Sequence, residues 1–193
     1  MSSTVSAAPT PAKETRGAPW LLLPLVLGVL VSLAVGLLAR SSAERGGFTS
    51  PAYKLFFSDT IHLKVWFAMA AVALACVQLF TAAWIFRKLY WPRPAWINVV
   101  HRWAGRAAFL CTLPVVYHCV FKLGFQTYNT RVAVHSFFGV AFFGAFATKV
   151  LVVRMHRFPT WALPVAGGLL FAVLIGAWWT SSFWYLRAIG GGT

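Results

Sequence analysis

The chain has five histidines, His62, His101, His118, His135 and His156, and all lie in or beside long apolar runs. In such surroundings an imidazole can ligate a metal, carry a proton or bond to a neighbouring helix. Proton relays inside membranes draw on carboxylates. The only acids are Glu14, Glu44 and Asp59, none within an apolar run, which excludes carboxylate relays, acid–base pairs and most cation-coupled transport schemes. No Gly-rich phosphate loop, Ser-His-Asp arrangement, CxxC pair, or flavin or nicotinamide fingerprint is present. Metal ligation and interhelical bonding remain.

Spacing favours the first of these at one pair of positions. In "PVVYHCVFKLGFQTYNTRVAVHSFFGV", residues 114–140, His118 stands four residues before Lys122 and His135 four residues after Arg131. At about 1.5 Å per helical residue, each ring lies about 6 Å inward from a basic residue. If Lys122 and Arg131 mark one membrane surface, the two imidazoles share a depth. His62 joins this outer layer at a shallower level. His101, in "HRWAGR", and His156, in "VRMHRFP", form an inner layer about 25 Å away along the helix that joins His101 to His118.

A b-type haem needs this kind of arrangement: axial imidazoles from facing helices, small residues beside the macrocycle, and cations for the propionates. Gly105 and Gly139 each follow a histidine by four residues, on the same helix face. Lys122 and Arg131 suit propionates in the outer layer, Arg102 and Arg106 in the inner. The expectation is haem b held by His118 and His135, with a second haem at His101 and His156 as a further option. Copper bound by His118, Cys119 and His135 is a third reading, weakened because Cys119 points about 100° away from His118 on a helix. The plainer alternative has the histidines hydrogen-bonding between helices, worth about 1 kcal/mol each, and the glycines permitting close packing. His62 fits that alternative better, and His101 and His156, beside arginines, fit it equally well.

The elements that must position these rings are membrane spans. The 193 residues are 60% hydrophobic and 10% charged, a composition that points to an integral membrane protein. Five stretches approach the roughly 20 apolar residues that cross a hydrocarbon core: residues 20–39, 61–86, 98–122, 131–153 and 161–186. This predicts an all-α bundle over 20–187, with a disordered cytoplasmic tail at 1–19 and a short tail at 188–193. Spans three and four are joined by a short loop and are expected to be antiparallel neighbours. Pro114 is expected to bend span three one turn before His118.

The net charge of +14 reflects scarce acids, since the 17 Lys and Arg residues sit at the ends of apolar runs rather than in a nucleic-acid groove. Lipid headgroups, not nucleic acid, are the expected partners of these cations. With the N-terminus inside, ten basic residues are cytoplasmic and seven external, so a cytoplasmic N-terminus, an extracytoplasmic C-terminus and a plasma-membrane location are expected. Cys76, Cys111 and Cys119 lie in apolar runs and build no disulfide framework.

The His-Arg-x-x-Gly opening of "HRWAGR", with a second histidine deeper in the same helix, resembles the cytochrome b561 and ferric-reductase type of di-haem membrane proteins. That resemblance implies a four-helix core with a haem near each face, passing electrons across the membrane or to a quinone. On its pattern His101 and either His118 or His156 match ligand positions, as do His135 and His62. The 17 residues from His101 to His118 exceed the spacing usual in ferric reductases. Chain-wide, "HRWAGRAAFLCTLPVVYHC", "HSFFGVAFFGAFATKVL" and "WALPVAGGLLF" resemble a family of actinobacterial membrane proteins catalogued as a domain of unknown function (the 6529 type). That likeness implies the span assignment and no activity. The function expected from the residues is electron relay between an extracytoplasmic redox protein and the quinone pool, or across the membrane. The alternative is a haem-free accessory subunit or small-solute membrane component.

Overall fold

Each apolar run folds as a helix whose ends are set by identifiable residues. The computed structural model describes residues 19–45, 53–155 and 158–190; among these every regular element is helical. Helix α1 (Leu23–Glu44) follows a 3₁₀ turn at Pro19–Leu22 and carries Pro24 in its first turn, where a missing N–H breaks no helical bond. Helix α2 (Thr60–Ile85) is capped by Asp59, whose carboxylate accepts the His62 amide at 2.8 Å. Helix α3 (Ile97–Val116) continues without a break into a π-helical segment, Tyr117–Leu123, which stops at Gly124 with φ +71°. Helix α4 (Thr130–Arg154) is capped by the Asn129 side chain, which accepts the Val132 amide at 2.9 Å. Helix α5 (Ala162–Trp178) passes through a second π-helical segment, Trp179–Phe183, into α6 (Trp184–Gly190).

Five helical stretches are long and apolar enough to cross a membrane: Trp20–Glu44, Thr60–Ile85, Ile97–Leu123, Thr130–Arg154 and Ala162–Ile189. The protein is therefore an all-α, five-helix membrane bundle, as the apolar runs require. Two boundaries differ from the sequence expectation. Helix α1 does not stop near residue 39 but runs through the polar "RSSAE" to Glu44, with Arg40 and Glu44 paired at 3.0 Å. That pair is exposed and contributes little. The larger cause is packing: the Phe125 amide bonds to the Ala39 carbonyl, and Gly124 lies directly against Ala39 and Ala43. At the other terminus, residues 188–190 continue α6 rather than starting a tail. Residues 1–18 and 191–193 lie outside the described residues.

A third correction concerns neighbours. Helices α3 and α4 run antiparallel but do not pack along each other; α3 packs on α2, and α4 on α1 and α5. A six-residue connection at 124–129 ties their ends together and leaves their lengths unconstrained. The spans form a ring in the order α3, α2, α5, α4, α1, and α1 closes it by touching the π-helical end of span three. Between α3 and α4 the bridge is a pair of stacked rings, Phe109 and Phe146, with centroids 4.4 Å apart.

The α1–α4 crossing is made by glycine. A Cβ on Gly28 would come within 2.7 Å of the Gly144 carbonyl oxygen, so the two backbones touch there. One turn further along, the Thr148 hydroxyl donates to the Pro24 carbonyl at 3.0 Å. On the other side of α4, Phe142, Ala145 and Val173 form a small core with Phe138, Leu170 and Leu174.

Candidate functional site

Both π-helical segments lie at the same end of the bundle, with the ends of α1 and the starts of α2 and α4. Each positions a histidine. The wider π turn begins three residues after Pro114, which supplies no amide hydrogen to the helix ladder. It carries His118, only 2% exposed, with Nδ1 donating to the Pro114 carbonyl at 2.8 Å. Tyr53 and Tyr117 cover the ring, with centroids at 4.7 and 5.2 Å. Tyr53 lies before α2; burial, and secondarily Tyr117, raises its phenol above the ordinary range.

His135, on α4, faces the second π-helical segment. Its Nδ1 donates to the Ala177 carbonyl at 3.1 Å, with the Thr180 hydroxyl at 3.3 Å. Arg131, one turn earlier, donates to the Thr180 carbonyl at 2.8 Å and lies 3.8 Å over the Trp184 ring. Lys64 lies on α2 four residues into the helix that starts at this end. Lys122 is half-buried in the first π-helical segment. Gly139, one turn beyond His135, has nothing within 4 Å of where a Cβ would stand. Helix packing does not account for that glycine.

At the opposite end, His101 Nδ1 stands 2.8 Å from Thr81 Oγ1. The Thr81 hydroxyl donates to the Val77 carbonyl at 2.7 Å, so its oxygen is left to accept the His101 N–H. The Gln78 amide donates to the His101 carbonyl. Gly105 makes room for that amide: a Cβ there would meet Gln78 Oε1 at 2.9 Å. His101, Arg102, Gly105 and Arg106 line a cleft of about 360 Å³ between α3 and α4.

Three rings thus share one tautomer. A carbonyl only accepts, so the neutral imidazoles of His118 and His135 carry hydrogen on Nδ1 and a lone pair on Nε2; His101 follows through Thr81. Metal-binding histidines are oriented this way, by a second bond at the nitrogen facing away from the metal. Among the described residues, two buried side-chain atoms have no hydrogen-bond partner, His118 Nε2 and Ser42 Oγ. Both belong to the elements that close the ring, and leaving such an atom unmet costs about 1–3 kcal/mol.

The remaining calls separate. His62 bonds within its own helix start rather than between helices, with Nδ1 2.6 Å from Asp59 Oδ2 and 3.1 Å from Ser58 Oγ, and its ring lies edge-on to Tyr185. His156 lies outside the described residues. No three of His, Cys, Asp or Glu gather as a metal site among the described residues, so the copper reading fails: Cys119 does not join His118 and His135, because adjacent helical residues diverge. Tyr53, Lys64, Gln78, Thr81, Lys149 and Thr180 were not singled out from sequence. Gln78 and Thr81 gave a signal, being polar residues inside the apolar run "ALACVQLFTAAW".

A family model described as a family of unknown function, DUF6529, matches residues 21–192. No curated protein and no solved structure matches the chain. The likeness to cytochrome b561 and ferric reductases therefore rests on the histidine pattern alone.

Proposed function

We propose that this chain, which belongs to the DUF6529 family of unknown function, binds one haem b at the end of the bundle where His118 and His135 lie, and relays electrons. The observation that carries the reading is the buried, unpartnered Nε2 of His118, whose Nδ1 is fixed by the Pro114 carbonyl. Its counterpart on α4 is His135, set in the same tautomer by Ala177 and followed by the open space at Gly139. Haem supplies a one-electron couple whose potential follows its axial ligands and surroundings.

The chain's own residues would do the rest. The Pro114 and Ala177 carbonyls orient the two rings and raise their basicity. Tyr53 and Tyr117 cover His118 and exclude water from it. Lys64, Lys122 and Arg131 supply positive charge without any acid nearby except the helix-capping Asp59 and the exposed Glu44. With the N-terminus cytoplasmic, this end faces outward in a plasma membrane, and the segment before α2 is where an extracytoplasmic redox protein would dock. The quinone pool is the membrane-side partner.

A second reading has its own support. His135 bonds from α4 to α5, and His101 from α3 to α2, as helix-joining histidines in a haem-free accessory subunit would. One experiment separates them. After haem-replete expression and purification in mild detergent, a dithionite-reduced minus oxidised spectrum is expected to show Soret and α bands. No band would leave the accessory reading. His118→Ala and His135→Ala are each expected to remove the band while circular dichroism and elution stay those of a folded chain. His118→Met, which keeps a ligating atom, should shift the band rather than abolish it. A band unchanged in all three variants would move the ligands elsewhere.

A further inference from the structure

The cleft at the His101 end has a different chemistry from the proposed haem site. Its walls carry His101, Arg102, Arg106, Lys149 and Arg154, and no acid lines it among the described residues. Lys149 is half-buried on α4, where a cation without a counter-charge is costly. The base of the cleft is the Phe109–Phe146 stack. Next to it, between α1 and α4, runs an apolar groove of about 580 Å³ lined by Leu27, Leu30, Val31 and Ala34 on one side. Phe146 and Val150 line both spaces, so the basic cleft and the apolar groove adjoin. The groove residues lie deeper along α4 than Val153 and Arg154 at the cleft mouth.

We infer that the cleft and groove together bind one anionic phospholipid, its phosphate among Arg102, Arg106, Lys149 and Arg154 and an acyl chain in the groove along α1. The arrangement suits an amphiphile better than a free anion, because charge and apolar surface meet at two shared residues. Basic pockets between membrane helices recognise anionic headgroups by the same electrostatics. Nothing here depends on haem at the opposite end.

The test uses the full chain purified in detergent and read by native mass spectrometry, with phosphatidylglycerol, phosphatidylcholine of the same acyl chains, and inorganic phosphate as separate probes. Phosphatidylglycerol is expected to be retained about tenfold better than phosphatidylcholine. Arg154→Gln, at an exposed position, should lower its retention about fivefold, and Lys149→Met by at least as much. Ala34→Trp, which fills the groove without changing charge, should also lower it. Equal retention of the two lipids, or an Arg154→Gln chain that binds like the parent, would overturn the proposal. Competition by millimolar phosphate as strong as by phosphatidylglycerol would assign the cleft to a free anion and overturn it too. A second haem lost on His101→Ala would show the cleft belongs to a cofactor.

Discussion

At the scale of single residues, His62 and His118, at the same end of the bundle, differ in what their ring nitrogens meet. His62 gives its Nδ1 to Asp59 and acts as part of a helix start, whereas His118 turns one nitrogen to Pro114 and leaves the other buried with no partner. The sequence could rank His118 and His135 together by distance from a basic residue. It could not reveal which ring nitrogen is engaged, because that depends on the carbonyls of Pro114 and Ala177, and backbone oxygens have no signature in residue identity. Asp59 makes a prediction at this scale. The His62 amide, then the His62 ring, hold its carboxyl at about 2, below the ordinary 3.8. A depressed carboxyl stabilises the fold above its ordinary value, and that contribution disappears as pH falls from about 4 through about 2. The protection factor of the His62 amide, the exchange rate of an unstructured amide at the same pH divided by its own, should therefore fall across that window. Asp59→Asn, which also caps, should keep protection at neutral pH and flatten the acid dependence.

At the scale of elements, the spans were legible because a run of about 20 apolar residues has few alternatives to a membrane helix. Their partners were not. The short loop between α3 and α4 fixed only two ends, and the Phe109–Phe146 contact that spans the gap uses residues indistinguishable in type from lipid-facing ones. The π-helical segments left a single trace, Pro114, since a change from four-residue to five-residue bonding over one or two turns leaves no periodicity to read in "YHCVFKL" or "WTSSF". The glycines sort by neighbour rather than by spacing, which yields a comparison. Gly144→Leu should force α1 off α4 and cost about 1–3 kcal/mol by overpacking. Gly124→Ala, at φ +71° and against Ala39 and Ala43, should cost about 1–2 kcal/mol. Gly139→Ala meets nothing and should change stability by less than about 0.5 kcal/mol in haem-free protein. Thermal unfolding in one detergent ranks the three.

At the scale of the whole molecule, composition alone announced a membrane protein, and the distribution of Lys and Arg predicts which way it sits. In a chain with Cys76, Cys111 and Cys119 changed to Ala, Phe56→Cys places a thiol on an exposed residue before α2. An impermeant maleimide applied to intact cells should label it; labelling only after lysis would invert the orientation and put the His118 end inside. The order of helices around the ring also bears on biogenesis. Of the five spans α1 comes before the others in the chain, yet the surfaces it rests on, α4 and the far end of span three, are made much later. Until then it must wait in the bilayer as a solitary rod, which its nearly uncharged, strongly apolar sequence equips it to do. A span made before its neighbours docks only after two more have been threaded, and any fault in Gly28 would surface late, as a bundle of four with a stray anchor beside it.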